Sequence, residues 1–231
     1  YSRTLLKALP AETGIQYAHS ERGILHFYTE RAQLDAALAT AKLMRELGCE
    51  RVPKTPREML ELEPALAHAM PHIVGGDYAS GDEAGDACLF TQRLAARCET
   101  RGVKFLYGAT IAQLAHGGGR IDGVLVRRGA EDAQRLAADA YVVALGSYSP
   151  LLLRPLGMGL PIYPVKGYSV TIPITNPDAA PRVSLTEDGH KLVFSRLGER
   201  LRVAGTAELN GYDNTLNPAR CGAILRRTAE L

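Results

Sequence analysis

Cysteine is scarce: Cys49, Cys88, Cys98 and Cys221 form no C-x-x-C pair and follow no regular spacing. That argues against a zinc framework or a disulfide scaffold and favours reduced thiols in a cytoplasmic setting. An excess of one charge is also missing. Lys and Arg number 27 against 25 Asp and Glu, a net charge of +2, which is too little for a protein that binds nucleic acid by neutralising phosphates. No apolar run approaches the ~18 residues of a membrane span. No basic stretch followed by an apolar one marks a secretion signal, and no repeat or low-complexity segment interrupts the chain. What is left is ordinary globular usage, 46% apolar and 23% charged over 231 residues, enough for one large domain or two small ones. The chain opens on Tyr1 within a helical pattern, YSRTLLKALPAET, and closes on NPARCGAILRRTAEL, a helix with no stop signal. The expectation is an internal piece of a longer protein.

Local patterns predict the elements. GILHFY (Gly23 to Tyr28) reads as a strand. Thr29 then caps a helix with Leu34, Leu38, Ala41 and Met44 on one stripe, ending near Gly48. Thr55-Pro56-Arg57-Glu58 is a capping box with proline at the first helical position, and that helix ends before Pro64. Glu58, Glu61 and Glu63 read as its wet side, and Arg226 and Arg227 as a solvated pair on the last helix. Asp82 or Asp86 caps a helix from about Ala87 to Arg101, whose stripe is Phe90, Leu94, Ala95 and Cys98. Gly102 stops it, VKFLY follows as a strand, and AYVVAL (Ala140 to Leu145) reads as a strand buried on both faces. Ile121 to Arg128 and Gln134 to Leu136 read as strands of a small hairpin. After Pro161 three strand-like runs suggest an antiparallel sheet, with Leu201 and Val203 on one face and Arg200 and Arg202 on the other. The fold class is therefore α/β in the middle with α+β flanks, two domains threaded through each other.

Candidate chemistry is sparse. Gly117-Gly118-Gly119 lies between strand-like runs rather than between a strand and a helix, so it reads as a hairpin turn and not a phosphate loop. His116 completes an HGGG string, but no G-x-S-x-G elbow accompanies it. His68 and His72 are separated by Pro71, which breaks the helix that would align them, so no metal site is expected. Ala144-Leu145-Gly146-Ser147 is more informative: a strand ends, glycine permits close backbone approach, and Ser149-Pro150 starts a short helix, as ligand-binding turns do in open α/β sheets. An ordinary strand-to-helix turn has the same pattern.

The strings GDEAGDACLFTQRLA, GVKFLYGATIAQL, ADAYVVALGSYSPLLLRPLG, PIYPVKGYSVTIPI and LVFSRLGERLRVAGTAELNGYD, in this order, resemble the D-amino-acid dehydrogenase branch of the FAD-dependent D-amino-acid oxidase-like family. The resemblance covers nearly the whole chain. It implies part of a FAD-binding Rossmann-like domain (86–160) interleaved with a mostly antiparallel-sheet substrate domain (1–85 and 161–231). It implies FAD as cofactor and oxidative deamination of a D-amino acid to a 2-oxo acid and ammonia. Electrons would pass to a quinone-type acceptor, with peripheral association at the inner face of the membrane. By the same resemblance, Ile111 would hold adenine through its backbone, and Ala144, Gly146 and Ser147 would border the ADP half. Lys166-Gly167-Tyr168 would mark a domain crossing, with Tyr168 and His190 near the substrate. His190 departs from the tyrosine that relatives often carry there. No catalytic residue is assigned. The strand–GxGxxG–helix that binds the FAD pyrophosphate is absent from these residues, as is the arginine that binds the substrate carboxylate, so the chain alone is expected to bind FAD weakly or not at all. Two other readings stay open: another FAD-dependent amine or 2-hydroxy-acid oxidoreductase, and a catalytically silent binding module.

Overall fold

The computed structural model describes residues 2–231. In chain order the elements are α1 (Ser2–Thr13), β1 (Ile24–Tyr28), α2 (Arg31–Glu46), β2 (Val52–Lys54), α3 (Pro56–Leu62), β3 (Gly75–Ala79), α4 (Ala87–Glu99), β4 (Ala109–Gly117), β5 (Arg120–Arg128), β6 (Gln134–Leu136), α5 (Ser149–Leu153), β7 (Lys166–Pro173), β8 (Ser184–Glu187), β9 (Leu192–Leu197), β10 (Arg200–Glu208) and α6 (Pro218–Glu230). The chain divides into two compact units. One holds residues up to Cys98, Lys166–Glu208 and Asn214–Leu231; the other holds Glu99–Val165 and Leu209–Asp213. Helix α4, grouped with 86–160 on sequence grounds, clusters with the first unit.

The first unit is built on a seven-stranded mixed sheet, β2-β3-β1-β8-β9-β10-β7, antiparallel except for β1 beside β8. Residues paired in register share a face. One row runs Leu25, Leu185, Phe194, Val203 and Val170; the next runs Phe27, Glu187, Leu192, Gly205 and Tyr168. Met59, Leu66, Ala69, Ile73 and Ile224 close this face into the core, where Leu25, Phe27, Met59 and Val203 are fully buried. Full burial of each such side chain is worth ~1.5–3 kcal/mol.

Local chemistry sets the element ends. Thr55 and Glu58 form the capping box: the Thr55 hydroxyl accepts the Glu58 N–H, and the Glu58 carboxylate accepts the Thr55 N–H at 2.7 Å. Asp86 accepts the Leu89 N–H at 3.0 Å at the start of α4. Helix α2 ends in a Schellman turn, with Cys49 N–H on the Met44 carbonyl and Gly48 at φ +82°.

The second unit carries a three-stranded antiparallel sheet, β4-β5-β6. Gly118 and Gly119, at φ +58° and +76°, make the β4–β5 turn. Two consecutive positive φ values are what a tight two-residue hairpin needs, so the glycine run is a turn, as its context predicts.

Several expectations are corrected. Val103–Tyr107 and Ala140–Leu145 form no strand, and Val142 is 90% exposed. A strand exists only through a ladder partner, and neither run has one among the described residues. Thr29 does not cap α2; Glu30 is the N-cap and makes no side-chain bond there. Glu63 is fully buried rather than wet, because its carboxylate accepts the backbone N–H groups of Ala65, Arg182 and Val183. Arg227 is not a solvated twin of Arg226: it grips the buried Glu187 with Nη2 at 2.6 Å from Oε1.

Candidate functional site

In the second unit the expected cofactor residues sit on open backbone. Strand β4 is an edge strand, and the β4–β5 register slips between Ile111 and Gln113. An edge strand leaves outward N–H and C=O groups without a strand partner, and a bulge frees an extra residue from pairing. Ala112 is the extra residue here; Ile111 beside it is in register with Val126 and is 40% exposed. Farther along, Ala144 is exposed, and Gly146 takes φ +55° with nothing within 4 Å of where a Cβ would stand. A short 3-10 turn, Gly146–Tyr148, leads into α5.

One tyrosine braces this turn, and a second holds the residue beside it. The Tyr212 hydroxyl donates to the Ser147 carbonyl at 2.7 Å, with the Tyr148 and Tyr212 rings 5.3 Å apart. The Gly211 N–H donates to the Tyr163 hydroxyl at 3.0 Å. Only the YPVKGYS and NGYD strings near them hinted at either.

In the first unit the sheet has a second face. His26, Thr186, Val193, Ala204 and Ser169 align across it, flanked by Ser195, Arg202 and Thr171. Val193, Ser169, Arg202 and Thr171 are exposed. This face is therefore polar and open, whereas its opposite face is sealed.

At the β1 end of the open face lies a cleft of about 500 Å³, walled by Ala36, Ala37 and Thr40 of α2 and floored by Tyr28, Arg51 and Asp188. Asp77 is fully buried and takes Arg51 Nε at 2.5 Å. The Tyr28 hydroxyl donates to Asp188 at 2.9 Å, and His26 Nδ1 lies 3.3 Å from the same carboxylate. Burial, with those carboxylates beside it, pushes the Tyr28 phenol far above its ordinary range. Burial raises Asp188, but bonds from Lys191, Tyr28 and His26 outweigh it and hold the carboxyl below the usual value. Asp188 is thus held as a carboxylate beside a protonated Tyr28 phenol.

The expected substrate residues lie near one end of the same sheet, separated by β10. Tyr168 is 4% exposed, donates to Glu208 at 2.6 Å and accepts the Asn217 N–H at 3.2 Å. His190 is exposed just before β9, with Nδ1 2.7 Å from the Glu187 carboxylate. Elsewhere His19, Glu21 and Glu83 bring ligand-type atoms within 4.8 Å of one another. Lys7 Nζ stands 3.0 Å from Glu83 and 3.5 Å from Glu21, so an ammonium already serves both carboxylates. No helix among the described residues is long and apolar enough to cross a membrane.

Comparison with known proteins adds to this geometry. A family described as FAD dependent oxidoreductase matches residues 1–231. A protein of Dechloromonas aromatica named D-amino acid dehydrogenase is 55% identical over all 231 residues, which span 55% of its length. One of Methylobacterium radiotolerans with the same name is 48% identical over the whole chain and 54% of its own length. The chain thus spans about half the length of these relatives. Among solved structures, glycine oxidase from Geobacillus kaustophilus superposes with a TM-score of 0.84 at 24% identity, covering 100% of this chain and 60% of that one. L-proline dehydrogenase from P. horikoshii does so with 0.82 at 16%, covering 99% and 60%. At such identities the likeness is one of fold.

Proposed function

The chain belongs to the FAD dependent oxidoreductase family, and on that footing we propose that the protein it serves oxidatively deaminates D-amino acids to 2-oxo acids and ammonia, with electrons passed to a quinone-type acceptor. The observation that carries this is the 55% identity along the entire chain to a protein named D-amino acid dehydrogenase. The residues present suit a flavin nucleotide. Ile111, at the bulged edge of β4, would hold adenine through its backbone amide and carbonyl. Ala144, Gly146 and Ser147 would border the ADP half, where the missing Cβ of Gly146 leaves room for it. Bound there, the flavin supplies the acceptor for the α-carbon hydride; orientation is the protein's task.

For the substrate we propose the end of the seven-stranded sheet where β7 and β9 begin. His190 and the Lys166–Tyr168 crossing both lie at that end, with β10 between them. Tyr168 acts as a positioning residue, because its hydroxyl is committed to Glu208 and Asn217. We propose residues 86–160 as part of the flavin domain and the flanks, 1–85 and 161–231, as substrate domain. Because a quinone dissolves in lipid, we place the protein in the cytoplasm, peripheral to the inner membrane face.

The test is turnover by the intact protein with D-alanine, L-alanine and glycine, using first a dye acceptor and then a short-chain quinone. Oxidation of D-alanine alone, with a flavin absorbance band, is expected. Equal rates on both enantiomers, or a preference for glycine, would overturn the substrate assignment; dye reduction without quinone reduction would overturn only the acceptor. The 231-residue chain by itself should bind FAD weakly or not at all, and a stoichiometric flavin band from it would contradict that.

A further inference from the structure

Charge is nearly balanced over the whole chain, yet three arginines share one cleft that the proposed reaction does not use. Arg22, Arg182 and Arg196 line a cleft of about 440 Å³, together with Ser20, Pro177 and Asp178. The three arginines come from the turn before β1, the segment before β8 and strand β9, so only the fold brings them together.

Their neutralisation is incomplete. Arg196 donates Nη1 to the Pro177 carbonyl at 3.1 Å and Nε to the Gly198 carbonyl at 3.4 Å. Two carbonyls thus aim its guanidinium without cancelling its charge. Arg22 is anchored through its backbone carbonyl, which accepts the Tyr78 hydroxyl at 2.8 Å. Its exposed guanidinium has no ion-pair partner among the described residues. Arg182 meets Asp178 at 3.4 Å, but both are exposed, and such pairs contribute little. His19 stands on the wall with Nε2 2.5 Å from the Glu83 carboxylate, which Lys7 also serves. The cleft therefore presents three guanidinium groups against one weakly engaged carboxylate of its own.

Like charges that line one cleft repel one another, and an anion held between them offsets that repulsion. Planar arginine forks match carboxylate and phosphate geometry in paired hydrogen bonds. Guanidinium donors from three separate segments are matched more fully by the several oxygens of a phosphate, with its higher charge, than by the two of a carboxylate. We propose that the cleft of Arg22, Arg182 and Arg196 is a binding site for a phosphate group, borne either by a soluble phosphate ester or by an anionic lipid headgroup. The site is independent of the D-amino-acid reading.

Calorimetric titration of the intact protein with inorganic phosphate tests this, alongside co-sedimentation with vesicles of phosphatidylcholine, plain or containing phosphatidylglycerol. Arg22→Ala is the central variant, since that side chain has no ion-pair partner to lose; Arg196→Ala is the second, and Arg57→Ala on α3 the control. The expected result is saturable phosphate binding, or pelleting with the anionic vesicles alone, weakened ~10-fold or more by Arg22→Ala and unchanged by Arg57→Ala. Pelleting assigns the phosphate to a headgroup; phosphate binding without pelleting assigns it to a soluble ester. Absence of both, or equal weakening by Arg22→Ala and Arg57→Ala, overturns the site.

Discussion

The carboxylate of Glu63 accepts the backbone N–H of Val183 at 2.8 Å, across 120 positions of sequence. The same oxygen accepts the Arg182 N–H at 2.5 Å, while the other oxygen takes Ala65 at 3.1 Å. One side chain thus satisfies three backbone donors and locks the segment entering β8 against the end of α3. Exchange of Glu63 for alanine strips those donors of their acceptor, and each buried orphan costs ~1–3 kcal/mol. Glu63→Ala is therefore expected to lose ~3 kcal/mol or more in urea unfolding. A loss below ~0.5 kcal/mol, the level of an ordinary surface change, would mean the site relaxes and the staple is unimportant.

Arg227 and Glu187 make the matching connection from α6 to the sheet, with Glu187 fully buried. Removing one partner of a buried ion pair leaves an uncompensated charge and costs ~3–5 kcal/mol, whereas replacing both with apolar groups of similar size costs far less. Arg227→Met should therefore destabilise more than the double variant Arg227→Met with Glu187→Leu. If the double variant proves the less stable in thermal unfolding, the pair contributes net stability beyond that of an apolar replacement.

Asp86 links pH to stability. The Leu89 N–H bond holds its carboxyl below the usual carboxylate range; burial opposes this, and Arg200 at 2.7 Å reinforces it. A carboxyl whose pKa is lower folded than unfolded binds fewer protons in the native state. Its contribution is present above the unfolded value of ~3.9 and is lost as pH falls. Asp86→Asn keeps a capping side chain but removes the titration. The variant's melting temperature should decline less steeply than the parent's between about pH 5 and pH 3. Parallel curves would show that Asp86 is not a source of acid sensitivity.

Gly146 and Gly157 both adopt positive φ, +55° and +74°, with open space where a Cβ would point. Alanine at either position incurs the same left-handed backbone cost, ~1–2 kcal/mol. If Gly146 borders the nucleotide, Gly146→Ala should weaken FAD binding by the intact protein several-fold more than Gly157→Ala at equal loss of stability. Equal effects on FAD, followed by flavin fluorescence, would remove Gly146 from the cofactor site.

Neighbouring residues show how far sequence could reach. The Thr55–Glu58 capping box closes within one turn, so its partners are visible in four consecutive letters. Glu63 ends the same helix, but two of its partners stand on a segment reached only through the folded sheet, so spacing alone made it look like another wet glutamate. Arg226 and Arg227 are likewise indistinguishable as letters, and only the reach of Arg227 to the buried Glu187 of β8 separates them. Ala140–Leu145 fails for the opposite reason. Its apolar run reads as a strand, yet strand structure belongs to a pair, and no partner for it lies among the described residues.

The candidate site divides the same way. The Gly146 turn and the hairpin glycines were legible because backbone conformation at glycine is a local property. The hydrogen bonds of Tyr163 and Tyr212, the open polar sheet face and the Arg22–Arg182–Arg196 cleft were not. By itself the order of residues determined periodicity, caps, turns and the family resemblance, since each depends on neighbours within a few positions or on strings that stand intact in the chain. Which carboxylate is buried, which arginine is neutralised and which face of the sheet is open depend on burial and on charge carried in from distant segments, and only the tertiary structure decided them.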